Sequence, residues 1–138
     1  MRKWLTAEKT HEGFPLFLRR PTGLDIATLR QSLPSLAVVT HTFARRKPDG
    51  LPEPDYNDGL ADMDFALVTA FDIDQTGVPV LIETFGGERN YYFYVAPDTD
   101  VPDVVSAIAR RYPAERLTWT VRPDPEWSFI QKYEREYF

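Results

Sequence analysis

Val78-Pro79-Val80-Leu81-Ile82-Glu83-Thr84-Phe85, Gly86-Gly87-Glu88-Arg89 and Asn90-Tyr91-Tyr92-Phe93-Tyr94-Val95-Ala96 follow one another in the chain, and their reading decides the fold. Two runs rich in β-branched and aromatic residues, joined by a short connection that opens on two glycines, predict a β-hairpin. Side chains alternate across a strand, so Tyr91, Phe93 and Val95 share one face while Tyr92 and Tyr94 share the other. The strand before it groups Leu81, Glu83 and Phe85, so both faces of the sheet carry apolar surface that a folded domain tends to cover.

Downstream of the hairpin, Asp98, Thr99 and Asp100 offer N-cap oxygens. Val101, Val104, Val105, Ile108, Ala109 and Tyr112 then recur at steps of three and four, which predicts a helix stopped by Pro113. Leu117, Trp119 and Val121 alternate with Thr118, Thr120 and Arg122, the pattern of a half-buried strand that Pro123-Asp124-Pro125 ends. Glu126 to Phe138 reads as a short amphipathic helix with Trp127, Ile130, Tyr133 and Tyr137 in register and Glu126 placed to serve its N-terminus. This helix is the natural cover for the second face of the sheet, and Trp127 is expected to be its anchor.

Upstream, Tyr56, Leu60, Met63, Leu67, Ala70 and Phe71 form one helical stripe from Asp55 to near Asp74, stopped by Gly77. Leu36 to Phe43 is a strand that leaves into an exposed loop, where Arg45, Arg46 and Lys47 are expected to be solvated. Phe14 to Arg20 is a further strand, followed by a turn or short helix over Leu24 to Leu33. From Leu36 onward the order is strand, helix, strand, strand, helix, strand, the split βαβ arrangement of ferredoxin-like domains. The expected fold is therefore α+β: a ferredoxin-like antiparallel sheet with an extra N-terminal strand and a C-terminal helix, forming a single domain over residues 1–138.

Composition narrows the function classes. The 138 residues are 43% hydrophobic and 27% charged, which is globular composition. Sixteen Lys and Arg against 21 Asp and Glu leave a net charge of −5, a poor match to a phosphate backbone. The absence of Cys removes thiol nucleophiles, disulfides and the common zinc sites. Met1-Arg2-Lys3-Trp4 has no apolar run behind its basic residues, so neither a secretory signal nor a membrane anchor is expected, and the expected location is the cytoplasm.

Three constellations invite a sharper reading. Asp72-Ile73-Asp74-Gln75-Thr76-Gly77 with Glu83 approaches an EF-hand loop, but at ~3.3 Å per residue the extended segment after Gly77 carries Glu83 roughly 20 Å away. A helix end is expected there, with no metal and no cofactor. His11 and His41 are candidates for an acid–base pair, yet nothing in the sequence brings them together, and no catalytic residue is assigned. Arg89, Tyr92 and Tyr94 form an aromatic, cation-led strand of the kind on which RNA-recognition domains stack bases. With Trp127 they are the candidate binding residues, and a covered, structural role for the rings is the competing reading.

Trp4 followed by Gly13-Phe14-Pro15, Asp49-Gly50-Leu51-Pro52, Gly86-Gly87-Glu88-Arg89 and Asp124-Pro125-Glu126-Trp127-Ser128-Phe129 together resemble the bacterial domain-of-unknown-function 695 family. The resemblance covers nearly the whole chain and is most specific in the last stretch. It implies no established activity. It does imply a distant similarity to the regulator of ribonuclease E activity B, a protein inhibitor. The expected function is accordingly a cytoplasmic, non-catalytic protein-binding or regulatory domain, with a partner in RNA processing. Two other readings stay open: a hydrolase or nuclease with dispersed active-site residues, and a single-stranded RNA-binding module that uses the aromatic strand.

Overall fold

A computed structural model describes residues 2–138. The elements run β1 (Trp4–His11), β2 (Phe14–Pro21), α1 (Ile26–Leu29), β3 (Ser35–Thr42), α2 (Pro54–Asp58), α3 (Ala61–Val68), β4 (Gly77–Phe85), β5 (Glu88–Val95), α4 (Val101–Arg111), β6 (Arg116–Pro123) and α5 (Ser128–Tyr137). The strands form one six-stranded sheet in the order β1-β2-β4-β5-β3-β6, and each neighbouring pair is antiparallel.

The hairpin that the glycines announce is tighter than expected. Gly86 and Gly87 make the whole turn, at φ 65° and 88°, and β5 already begins at Glu88. Positive φ at both central residues gives the turn a twist that matches the strands, and only glycine adopts it without strain. A second hairpin was not anticipated: Glu12 and Gly13 both take positive φ, 53° and 84°, and fold β1 back onto β2. A single extra N-terminal strand was expected. Trp4–His11 escaped because an edge strand with polar residues at most positions shows no apolar alternation.

Alternation along β5 divides the core into two. Tyr91, Phe93 and Val95 lie under α3 and α4, against Met63, Leu67 and Val105, with Phe71 edge-on to Phe93 at 4.9 Å. Tyr94, with Leu36, Val80 and Leu81, lies under α5 and meets Trp127, Ile130 and Tyr133. Burying a large aliphatic or aromatic side chain contributes about 1.5–3 kcal/mol, so two layers of them on one sheet dominate its stability.

Three local expectations are corrected. The helix drawn from Asp55 to Asp74 is two helices, because the chain turns at Gly59, whose N–H bonds back to Tyr56, while Leu60, Met63 and Leu67 still face the sheet. Leu117, Trp119 and Val121 do not form a half-buried strand: β6 is an edge strand, leaving Trp119 44% and Val121 43% exposed. Glu126 does not serve the last helix. Asp124 does, accepting from the Ser128 and Phe129 N–H groups, and Glu126 pairs with Arg30 at 3.3 Å instead.

Candidate functional site

Of the four residues singled out for binding, Tyr94 and Trp127 are fully buried and stacked on each other, ring centroids 4.1 Å apart and 8° from parallel. The indole N–H donates to the Leu33 carbonyl at 2.8 Å, and the Tyr94 hydroxyl donates to Asp124 Oδ2 at 2.6 Å. Burial by itself raises the Asp124 carboxyl; the Tyr94 hydroxyl and the Phe129 and Ser128 N–H groups outweigh it and hold Asp124 below the ordinary carboxylate range. These bonds keep Trp127 in the left-handed region at φ 57°, which costs a residue with a Cβ about 1–2 kcal/mol. Tyr92 stacks on Phe129 of α5 at 4.6 Å. The aromatic face is thus closed by the chain's own C-terminal helix, and neither Tyr94 nor Trp127 presents a ring to a ligand.

Arg89 points to the opposite face. Its Nε donates to Thr84 Oγ1 at 2.8 Å and its Nη2 to Asn57 Oδ1 at 3.1 Å, while the guanidinium lies 5.2 Å from the centre of the Phe43 ring. Beside it, Arg19 forks onto Asp64 with bonds of 3.0 and 2.7 Å, and Tyr91 donates to the same carboxylate at 2.6 Å. Burial alone lifts the Asp64 carboxyl, but Arg19 above all, with help from Tyr91 and Arg89, pulls it below its usual range. The same carboxylate, added to burial, pushes the Tyr91 hydroxyl far up and keeps it a donor.

Arg19 and Arg89, with Thr84 and Asn57, border a cleft of about 410 Å³ between the β2–β4 surface and the segment that enters α2. Phe17 and Ile82 form its apolar floor and Leu51, Pro52 and Pro54 its wall. Arg19, Lys47 and Arg89 add cationic or donor groups at its edges, and Asn57 and Asp58 close one end. The wall is fixed by the glycine turn: the Gly87 N–H donates to the Gly50 carbonyl at 2.9 Å. Gly50 sits at φ 91°, where a Cβ would come within 3.0 Å of Gly86 Cα, so the loop is held by a contact that only glycine permits. Asp49-Gly50-Leu51-Pro52 and Gly86-Gly87-Glu88-Arg89 therefore meet in space. Of the basic trio expected to be solvated, Arg45 and Arg46 are exposed, Arg45 beside Glu53 and Arg46 over Gly87, whereas half-buried Lys47 pairs with Asp49 and reaches the cleft.

Of the four candidates, Arg89 is the one that lines this cleft. Arg19, Asp64, Phe17 and Lys47 were missed because their association rests on contacts such as Arg19–Asp64, 45 positions apart in the chain.

The two histidines lie on opposite faces. His11 packs edge-on to Phe85 at 5.4 Å near Tyr137, whereas His41 is fully buried on the face that carries Arg89. His41 Nε2 bonds to Glu115 Oε1 at 2.8 Å, and the Tyr56 hydroxyl donates to the same oxygen. Burial lowers the imidazole pKa, and Glu115 only partly opposes this. Burial and Glu115 push the Tyr56 hydroxyl up to about 12. Glu83, the supposed twelfth position of a calcium loop, lies well along β4 and accepts from the Tyr133 hydroxyl at 2.6 Å. Among the described residues, no group of three or more His, Asp or Glu side chains is gathered as metal ligands, and no helix is long and apolar enough to cross a membrane.

The fold and site define a class: a mixed α/β domain on an antiparallel sheet, with one face closed by an aromatic helix and a cleft on the other. The chain belongs to the family of unknown function DUF695, whose model matches residues 2–133. No curated protein and no solved structure matches the chain.

Proposed function

We propose that the chain is a non-catalytic, protein-binding domain of a regulatory kind, and that the cleft receives an extended segment of its partner. The observation that carries this reading is the prearranged cleft. An apolar floor at Phe17 and Ile82 stands beside Arg19 and Arg89, whose guanidinium groups are already fixed by Asp64, Thr84 and Asn57. Side chains ordered before association lose little entropy on binding, so a modest contact suffices. An apolar side chain of the partner rests on Phe17, and a neighbouring carboxylate meets Lys47 and Arg89.

The order β6-β3-β5-β4 supports reading the larger part of the sheet as a ferredoxin-like split βαβ core to which β1 and β2 are added. An acidic, cytoplasmic regulator resembling the regulator of ribonuclease E activity B fits a basic surface on an RNA-processing partner. A single-stranded RNA module is disfavoured because Tyr92 and Tyr94 already stack on Phe129 and Trp127. A hydrolase working from His41 is disfavoured because a general base must reach its substrate, and this imidazole is fully buried.

Affinity capture from nuclease-treated lysate of the source cell, with the wild type and Lys47→Glu compared, tests the reading. Proteins retained by the wild type and lost from the variant are expected. Equal capture by both, or capture that vanishes with nuclease, overturns it.

A further inference from the structure

We infer that β6 is a second docking surface, an open sheet edge that accepts an acidic, extended segment of a partner protein as an added strand. β3 covers one side of β6 without interruption, from Ser35 opposite Pro123 to Thr42 opposite Arg116, and among the described residues no strand pairs with the other side. An unpaired strand edge is a row of backbone donors and acceptors ready for another chain, and sheets usually blunt it with lysine, an interior proline, a bulge or a covering element. β6 has no lysine and no bulge, its proline is its last residue, and every position but Leu117 is exposed. The opposite edge, β1, carries charges of both signs, at Glu8 and Lys9, whereas the charges of β6 are of one sign, at Arg116 and Arg122.

Charge selects the occupant. Arg116 and Arg122 stand exposed on β6, and Arg110 and Arg111 are exposed at the end of α4, which packs on β6 and leads into it. Among the described residues none of the four forms an ion pair, in a chain whose net charge is −5. Of the carboxylates nearest in sequence, Glu115 is turned inward to His41 and Tyr56, and Asp124, which feels the Arg122 charge, is already held by the Tyr94 hydroxyl and the Ser128 and Phe129 N–H groups. A local basic edge on an acidic molecule attracts an acidic strand and opposes a second copy paired through β6, since register about Trp119 sets Arg116 against Arg122. On the face opposite Arg116 and Arg122, which Leu117 turns toward α4, exposed Trp119 and Val121 offer contacts for the apolar side chains that alternate with those carboxylates.

The probe is an end-blocked octapeptide of alternating glutamate and valine, titrated into ¹⁵N-labelled full chain. Amide shifts confined to residues 116–123 and their β3 neighbours are expected, with at least tenfold weaker binding in the Arg116→Glu/Arg122→Glu variant. Methylation of alternate peptide nitrogens should abolish binding, because strand pairing needs those donors. Undiminished binding of the methylated peptide, shifts located in the cleft, or self-association through β6 in sedimentation overturns the inference. So does tighter binding of an oligouridylate at β6. Because β6 and the cleft lie in different parts of the sheet, the shift map separates failure here from failure of the cleft reading.

Discussion

The two faces of the sheet use the same strand, β5, to opposite ends. Toward α5, ring stacks on ring and hydroxyls end on carboxylates, as Tyr94 does on Asp124 and Tyr133 on Glu83. Toward α3 and α4, the core is apolar only in part. Beyond it Arg19, Asp64, Arg89 and Tyr91 form a charged network whose two arginines border the cleft. Concentrated aromatic residues thus mark where this molecule is shut, and charges drawn inward mark where it stays open. An aromatic strand satisfies its faces by packing, whereas a partly buried arginine needs a fixed acceptor and so shapes the space around it.

The largest test of this contrast is Trp127→Ala. It removes the ring stacked on Tyr94 and the bond to Leu33, and leaves a residue with a Cβ in a left-handed conformation. A loss of about 3–5 kcal/mol is expected, read as a lower urea midpoint. An unchanged midpoint would show that the α5 face is not the closed one.

Asp64→Asn acts on the other face. Arg19 loses its charged acceptor and the Tyr91 hydroxyl loses a carboxylate, for an expected cost of about 2 kcal/mol in the same assay. A cost equal to that of Trp127→Ala would make the network as central to stability as the aromatic layer.

Acidification separates the faces further. His41 has a lowered pKa when folded, so below its ordinary value of 6.5 the unfolded chain takes up the proton first and stability falls toward the folded pKa. Asp64 and Asp124 are also lowered. Their stabilisation is complete above the ordinary 3.8 and is lost as pH drops through their folded values, a lower window. Urea midpoints at pH 7.5 and 5.5 should therefore differ in the wild type and differ less in His41→Gln. An identical difference in the two proteins would remove His41 as the source.

The smallest effect is expected from Tyr92→Phe. The hydroxyl lies 3.5 Å from Glu83, at the limit of a hydrogen bond, while the stack on Phe129 survives the change. A midpoint shift worth about 0.5 kcal/mol or less is expected, and a much larger one would reveal a polar contribution to the closed face.

Period and capping were enough for several elements. Val101 to Tyr112 is legible as a helix from its spacing, and Asp100 caps it by accepting from the Asp103 N–H. The division of Tyr91, Phe93 and Val95 from Tyr92 and Tyr94 follows from strand alternation, and the two cores respect it. The cover of the second face by Trp127 and Ile130 was also legible, because an amphipathic C-terminal helix and an uncovered apolar face complement each other. The break at Gly59 and the strand Trp4–His11 were not: neither carries a periodic signal strong enough to stand without its neighbours.

By itself, then, the sequence determined the elements whose causes are local: the glycine hairpin, the faces of β5, the stripe and cap of α4 and the amphipathic character of α5. Only the tertiary structure decided that β6 stands at the edge, and that Arg19 and Arg89 converge on Asp64 beside a cleft. A residue's side of a strand is set by its immediate neighbours, but whether that side meets solvent, a helix or a distant charge depends on long-range pairing, which no short stretch of sequence contains.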